Sequence, residues 1–491
     1  MRVLFAYKNA ECIGIEYLMG TLRKEGHQTA LYFESGSGET EIKSRTIKYF
    51  AKISGSRNKL IKAAKEFKPD LIAISCLTNL YPWLKQISEI FKKELGNIPI
   101  IAGGIHPTIL TSRVLRDCHV DFVCRGEGEE CLSMLCDALE NRKDFSKIPN
   151  LAYINEDGMI IANPIKNLLQ NLDELPYPYK RPFYKYGCFS KRIYICASRG
   201  CPYNCSYCFN PVNKKLNNGK GNWHRLRSVD SLLDELRYFY EKYKYKEIFF
   251  YDDVFAFSKK WLREFAPKFK KHIALPYKCL LRPDYINEET IALLAESGCI
   301  YTDIGIESGN EEIRRRIMNR DISNDTIIKS AKLLKKYGIK FTTLNMLGVP
   351  GETKDTLLET YSLNKKIKPD GIIVSTFYPY PGTKLLSECI KKGYADKNIL
   401  YKIYEGEGSY KFDTILKHPL KREISKFQNY LPIAIRLPDF LGRLILKLPV
   451  CSWTRIISIF FLSVPRNMYI RLSESIRMFI KSNFGSAKIF Y

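Results

Sequence analysis

In two separate series the chain alternates short apolar runs of strand length with amphipathic stretches of helical period. The first series reads "RVLFAYK", the helical "IEYLMGTLRKEG", "QTALYF", "DLIAISCL", the helical "WLKQISEIFKKELG", "IPIIAGGIH" and "DFVCRGEGEE". Runs that are apolar at nearly every position must be covered on both faces, unlike runs that alternate. Helices between successive strands supply that cover, so the pattern predicts a parallel sheet.

The first series predicts a flavodoxin-like or Rossmann-like domain over residues 1–150. The pattern then breaks into a hairpin candidate, "NLAYINEDGMIIANP", and the proline-rich "ELPYPYKRPFY", which together predict a linker over residues 151–186. A second series follows: "RIYICASRG", "EIFFYDDVF", "PYKCLLRPDY", "CIYTDIGIES", "KFTTLNMLGVP" and "DGIIVSTFYPYP", with helical stretches such as "SVDSLLDELRYFYEKY" between. Six strand-helix units predict a partial (β/α)6 barrel over residues 187–405, with its chemistry at the C-terminal strand ends.

Residues 406–491 change character. Between Lys411 and Tyr491 stand 14 Lys and Arg against 4 Asp and Glu, mixed with apolar runs such as "IISIFFLSVP". The longest uncharged run, Ile456 to Pro465, is shorter than the about 20 residues of a spanning helix. The segment is expected to be mainly helical, either packed on the barrel or lying at a membrane surface. The whole chain carries 78 Lys and Arg against 52 Asp and Glu, a net +26 that favours anionic partners. Its start lacks the charged, apolar and small-residue regions of a secretory signal, and 15 cysteines suit a reducing compartment. The expected location is the cytoplasm, with membrane association as the alternative.

The stretch "CASRGCPYNCSYCFNP", residues 196–211, directly follows the first strand of the second series. Within it Cys201, Cys205 and Cys208 are closely spaced. A structural zinc site closes with four protein ligands, so three thiolates imply a site with one position left open. A cubane iron-sulfur cluster on three cysteines keeps one iron free for an exogenous molecule. With aromatic Tyr207 before the last cysteine, the loop resembles the signature of the radical S-adenosylmethionine enzymes. That resemblance implies a [4Fe-4S] cluster on Cys201, Cys205 and Cys208, whose free iron chelates S-adenosylmethionine and whose electron cleaves it to a deoxyadenosyl radical. Cys196, on the strand before the loop, falls outside the ligand set.

Further motifs stand at successive strand ends. "FFYDDVF" places Asp252 and Asp253 after the second strand, suited to an ammonium group or ribose hydroxyls. Arg282 in "LLRPD" ends the third and suits a carboxylate fork. "DIGIESG" ends the fourth with Glu307, where similar enzymes hold S-adenosylmethionine. "LGVPGET" and "PYPGTKL" resemble the family's fifth- and sixth-strand signatures. The resemblance makes Tyr207, Asp252, Asp253, Arg282 and Glu307 the expected S-adenosylmethionine site.

No glycine fingerprint for a dinucleotide follows the first strand of residues 1–150. Instead "IAGGIHPT" follows the fourth and "CRGEGEE" the fifth. Gly103 and Gly104 would let a large planar ligand approach the backbone. The arrangement is similar to the cobalamin-binding domain fused ahead of many radical S-adenosylmethionine barrels, and implies a cobalamin site at Ser75, Thr78, Gly103, Gly104, His106, Gly126 and Glu127. "DCHVDF", residues 117–122, lacks the glycine of the motif that supplies a lower cobalt ligand. His119 is therefore expected to be a surface or capping residue.

The resemblance implies a cobalamin-dependent radical enzyme that methylates an unactivated carbon of a small-molecule or lipid-like substrate, with a flavodoxin or ferredoxin as electron donor. A transfer-RNA methylthiotransferase would suit the +26 charge, but residues 406–491 lack the alternating strands of an RNA-binding barrel, and nucleic acid is the less favoured partner. A radical cyclase or rearrangement enzyme is a further reading, and a non-catalytic cobalamin or iron-sulfur redox sensor is the non-enzyme one.

Overall fold

The computed structural model describes residues 1–34, 56–408 and 414–450. Its first sheet contains β1 (Arg2–Lys8), β2 (Gln28–Glu34), β3 (Leu71–Ser75), β4 (Ile100–Gly103), β5 (Phe122–Cys124), β6 (Leu151–Ile154) and β7 (Ile160–Ala162). The order is β2-β1-β3-β4-β5-β6-β7, with β1 to β5 parallel and β6 and β7 antiparallel. The apolar runs are buried as their composition requires: Val3, Leu4, Phe5 and Ala6 are all at most 1% exposed. The order of β1 to β5 is that of the flavodoxin-like fold, whose topological switch lies between β1 and β3. Loops leaving β1 and β3 diverge there and leave a crevice.

The hairpin of β6 and β7 extends this sheet along β5, where the sequence pattern predicts a linker. The proline-rich stretch after it is also tightly held. Tyr179 N–H donates to Glu16 O at 2.8 Å, and the buried Lys180 ammonium reaches Glu11 at 2.8 Å and Glu16 at 2.6 Å. Burial pulls the Lys180 pKa down, but the two carboxylates outweigh it and raise it.

The second sheet is built from β8 (Arg192–Ile195), β11 (Glu247–Phe250), β12 (Tyr277–Leu281), β13 (Cys299–Glu307), β14 (Lys340–Leu347) and β15 (Gly371–Thr376). Neighbours in sequence are neighbours in space, all parallel, and β8 and β15 form the two edges. The short ribbon of β9 (Ser198–Arg199) and β10 (Arg225–Leu226) stands beyond the C-terminal end of β8. Helices cover the convex face: Phe250 packs on Phe265 and Phe269, and Thr343 Oγ1 donates to Asn364 Oδ1 at 2.7 Å. The helix Lys421–Ala434 lies along the outer face of β15, burying Ile372 with Ile424, Phe427 and Leu431. This buries the apolar outer face of an edge strand. The described part of the C-terminal segment is thus helical and packed on the barrel; "IISIFFLSVP" lies outside the described residues. Among the described residues no helix is long and apolar enough to cross a membrane.

Candidate active site

The cysteine loop leaves β9 through Gly200, at φ +81°, where a Cβ would stand 2.3 Å from Trp223 O. Glycine is therefore required at that turn. A π-helical turn, Ile313–Ile317, grips the loop from below. Ser206 N–H donates to Met318 O at 3.0 Å, Ser206 Oγ to Ile317 O at 2.6 Å, and Asn319 Nδ2 to Asn204 O at 2.7 Å. Cys205 is buried, while Cys201 and Cys208 are half-buried. Burial pushes the Cys201 thiol up to about 11, and Asp253, Cys208 and Cys205 add to the shift. Among the described residues no three His, Cys, Asp or Glu side chains converge as on a single ion. A cubane needs no such convergence, because each thiolate binds its own iron. Cys196 stands apart, its thiol donating to Tyr251 O at 3.6 Å.

Two guanidinium groups flank Cys205. Arg282 Nη1 lies 3.5 Å from its sulfur, while Nε and Nη2 form a fork on Asp284 at 3.0 and 3.1 Å. The fork predicted for a ligand carboxylate is thus taken by a neighbour two residues away, and the guanidinium lies 3.3 Å over the Tyr203 ring. Arg320 Nη1 lies 4.0 Å from the same sulfur and Nη2 donates to Gly305 O. Its buried Nε has no hydrogen-bond partner. A cluster held by three thiolates concentrates negative charge, and these two cations fit it.

Glu307 sits at φ +62°, where the β13–β14 register slips. This rare backbone is a local strain of the kind found at functional sites. Burial raises the Glu307 pKa, opposed by Arg320 and a hydrogen bond with Tyr207. Glu307, Tyr207 and Arg320 thus meet beside Cys205. Asp252 is turned inward, accepting from Ala197 N–H at 3.2 Å and from Ser198 Oγ, and burial raises it to about 7. It ties β11 to the segment after β8 rather than facing a ligand. Asp253 is open to solvent by area yet ringed by protein; this enclosure raises its pKa, while Asn210 and His224 lower it.

A cavity of about 390 Å³ lies where the C-terminal ends of the first sheet meet the cysteine-loop ribbon. Ser75, Gly103, Gly104, Gly126 and Glu127 line it, opposite Ser198, Arg199 and Gly200. At Gly14 and Gly126 a Cβ would meet no atom within 4 Å, so bare backbone faces the open space. This cradle and its mostly apolar wall fit a broad, planar macrocycle. Thr78 and His106, expected in the wall, are buried behind it. His106 Nδ1 lies 3.2 Å from Thr78 Oγ1 and its ring 4.3 Å from that of Tyr81; burial, with Arg113 adding, lowers its pKa to about 4. His119 is exposed beyond the helix Thr111–Asp117. Glu127 is in the wall, but its carboxylate is paired with Arg199 and Arg225.

The sequence reading missed Arg320, Gly14, Arg199 and Arg225. Their partners are distant in the chain: Arg320 and Cys205 are 115 residues apart, and Arg225 and Glu127 are 98 apart. For Arg199 one local signal existed, its place just before the loop's glycine.

An open parallel barrel with a three-cysteine loop at its C-terminal end, set against a flavodoxin-order sheet, defines a two-cofactor radical enzyme. The chain belongs to the radical S-adenosylmethionine enzymes that carry an N-terminal cobalamin-binding domain. It matches the family models of the B12 binding domain over residues 6–135 and of the radical SAM superfamily over residues 195–363. It is 31% identical over 337 residues to an uncharacterized methyltransferase of Pyrococcus horikoshii, covering 66% of this chain and 70% of that one. It is similar in fold to the radical S-adenosylmethionine methyltransferase TsrM from Kitasatospora setae, solved with tryptophan substrate and a SAM analog, at 18% identity and TM-score 0.62, covering 80% and 76% of the two chains. It also resembles the cobalamin-dependent radical enzyme OxsB with aqua-cobalamin and S-adenosylmethionine bound, at 14% identity and TM-score 0.64, covering 98% and 72%. The cofactors are accordingly a [4Fe-4S] cluster, S-adenosylmethionine and cobalamin, and the enzyme needs a reductant and acts on a small molecule.

Proposed function

We propose that this enzyme is a methyltransferase that adds a methyl group to an unactivated carbon of a largely apolar small molecule. The observation that carries it is the cavity shared by the cysteine-loop ribbon and the first sheet, which puts two cofactor sites against one space. The relative at 31% identity, described as a methyltransferase, supports methyl transfer over cyclisation or rearrangement. An RNA methylthiotransferase is not favoured, since among the described residues no strand follows β15.

When bound, the cluster supplies one electron for cleavage of S-adenosylmethionine, and cobalamin supplies a cobalt that can carry the methyl group. In this reading Cys201, Cys205 and Cys208 hold the cluster. Arg282 and Arg320 balance its charge, and the free Nε of Arg320 is the donor available to a ligand carboxylate. Glu307, oriented by Tyr207 and Arg320, suits the ligand's ammonium group. Ser75, Gly103, Gly104 and Gly126 let a corrin lie against backbone. Asp253 remains available to hydroxyls. The domain division at residues 150, 186 and 405 belongs to the same reading.

The substrate class is read from the concave face of the barrel. The register places Tyr194, Phe249 and Lys278 side by side, and Gly305, Leu344 and Ile373 two rows further toward the loop end, with Asp303 and Thr342 in the row between. Tyr251, one residue past β11, and Ile373, on β15, are 57% and 46% exposed although both are large and apolar. Lys278 and Asp303 form an ion pair at 2.8 Å on this face, away from the cysteine loop. An apolar substrate body against this wall would exclude water from the reacting carbon. A flavodoxin or ferredoxin donor, and contact of the basic C-terminal segment with a membrane, are the partners that fit the +26 charge.

Iron and cobalt content decide this reading. The chain is reconstituted anaerobically with iron, sulfide and hydroxocobalamin and freed of unbound cofactor. About four irons and one cobalt per chain are expected, one cubane and one corrinoid. Iron without cobalt would overturn methyl transfer through cobalamin and leave only the radical barrel.

A further inference from the structure

The resemblance places Glu127 among cobalamin ligands, but its surroundings are those of a clamp. Oε1 accepts from Arg199 Nη1 at 3.1 Å and Arg225 Nη2 at 2.8 Å; Oε2 accepts from Arg225 Nη1 at 3.2 Å and Leu169 N–H at 3.2 Å. Both oxygens are engaged, and every one of these donors lies outside the first sheet. Arg225 also donates to Leu169 O at 2.7 Å, and Arg199 Nη2 to Glu129 Oε1 at 2.5 Å. Arg225 is almost wholly buried, its side chain 4% exposed. Burial alone would raise the Glu127 pKa, but Arg225 and Arg199 outweigh it and lower it.

The backbone at each end is fixed as well. Asn150 Nδ2 donates to Glu127 O at 2.8 Å and Gly126 N–H to Thr108 Oγ1 at 3.0 Å, so the carboxylate is rigid on the first sheet. On the other side Arg199 pairs with Arg225 across the β9–β10 ribbon. One glycine, locked against Trp223, separates Arg199 from Cys201. Glu127 and Arg199 also line opposite walls of the cofactor cavity.

We propose that Glu127 is a positioning residue: through Arg199 and Arg225 it holds the cysteine loop in register with the cobalamin cavity. The proposal rests on the two-cofactor reading above. Arg225 forks onto Glu127 with two nitrogens, which fixes angle as well as distance, while Arg199, on the adjacent strand of the ribbon, spans Glu127 and Glu129 with one nitrogen each. Both translation and twist of the loop against the first sheet are therefore resisted.

Glu127→Gln and Arg225→Lys test it from the two sides, each keeping size while breaking the fork. Hydrogen exchange of the cofactor-free proteins should show faster exchange over residues 197–209 in both variants, with β11 to β14 unchanged. After reconstitution both should hold iron and cobalt at wild-type stoichiometry. With S-adenosylmethionine, hydroxocobalamin and titanium(III) citrate, S-adenosylhomocysteine from cobalt methylation should fall relative to deoxyadenosine from cluster cleavage. The ratio should drop by about a hundredfold, as ångström-scale misplacement of reacting groups does. Loss of cobalt from Glu127→Gln while Arg225→Lys retains it would overturn the proposal in favour of a direct cofactor contact. Unchanged exchange and an unchanged ratio would also overturn it. If the wild type itself binds no cobalt, the functional reading fails, and the exchange experiment alone decides the clamp.

Discussion

Arg320 and Glu352 each show a charge state set by burial and by the groups enclosed with them. Arg320 is enclosed beside Cys205 and Glu307, and the negative groups around it raise its pKa against burial. Arg320→Lys keeps the charge but loses the planar fork. It should weaken S-adenosylmethionine binding by about tenfold to a hundredfold, the worth of one or two charge-assisted hydrogen bonds, at unchanged iron content. Equilibrium binding to the reconstituted protein measures this. Glu352, after β14, accepts from Gly348 N–H at 2.5 Å and has a second oxygen buried without a partner. Burial raises its pKa from 4.5 to about 8. The native carboxyl thus holds a proton that the unfolded chain releases. Its contribution to stability is full below about 4.5 and lost as pH rises through about 8. Denaturant midpoints should fall between pH 6 and pH 9 in the wild type and fall less in Glu352→Gln. "LGVPGET" marked the loop in the sequence, but the acid's burial was not visible there.

Local order accounts for which elements were legible. The strands and most helices follow from apolar periodicity, and caps such as Thr353 before Lys354–Ile367 are written in adjacent residues. The π-helical turn Ile313–Ile317 is different: within it Arg314 is buried and bonded to Ile322 O and Asn324 Oδ1, and no spacing rule announces it. The hairpin of β6 and β7 was legible as a hairpin; its attachment to β5 was not, because pairing partners are set by tertiary docking. Gly14, in the helix Ile13–Lys24, gives the sharpest test at this scale. Its position is helical and its Cβ direction is open. Gly14→Leu should therefore leave folding intact, or improve it through helix propensity, while filling the cavity. Cobalt retention should drop at least about tenfold, with iron content and deoxyadenosine formation unchanged; the tenfold figure equals one displaced contact of about 1.4 kcal/mol.

For the whole molecule the question is what fixes two sheets into one site. The Glu127 clamp acts at the cavity, and Lys180 acts on the opposite side of the helix Ile13–Lys24. Its side chain is 0% exposed and bridges Glu11 and Glu16, themselves 5% and 0% exposed. Removing the cation would leave buried carboxylates unpaired, which costs about 3–5 kcal/mol in comparable sites. Lys180→Met, similar in length and neutral, should lower global stability by that amount in anaerobic denaturant titration, whereas breaking an exposed, solvent-screened pair such as Lys65 with Glu94 should leave the denaturant midpoint nearly unchanged.

The two parallel sheets, the cysteine loop and the cofactor class are legible in the chain alone, because each depends on residues close in the chain: the period of apolar runs, and three thiols within one turn-rich stretch. Tertiary structure decided which residues share a site. Arg282 spends its fork on Asp284, His106 retreats behind Thr78, Glu127 joins the ribbon instead of facing the cavity alone, and Arg320 arrives beside Cys205 from 115 residues away. Such pairings depend on how sheets twist and dock, and a carboxylate buried by docking takes whichever cation the docking brings, a choice no local spacing encodes.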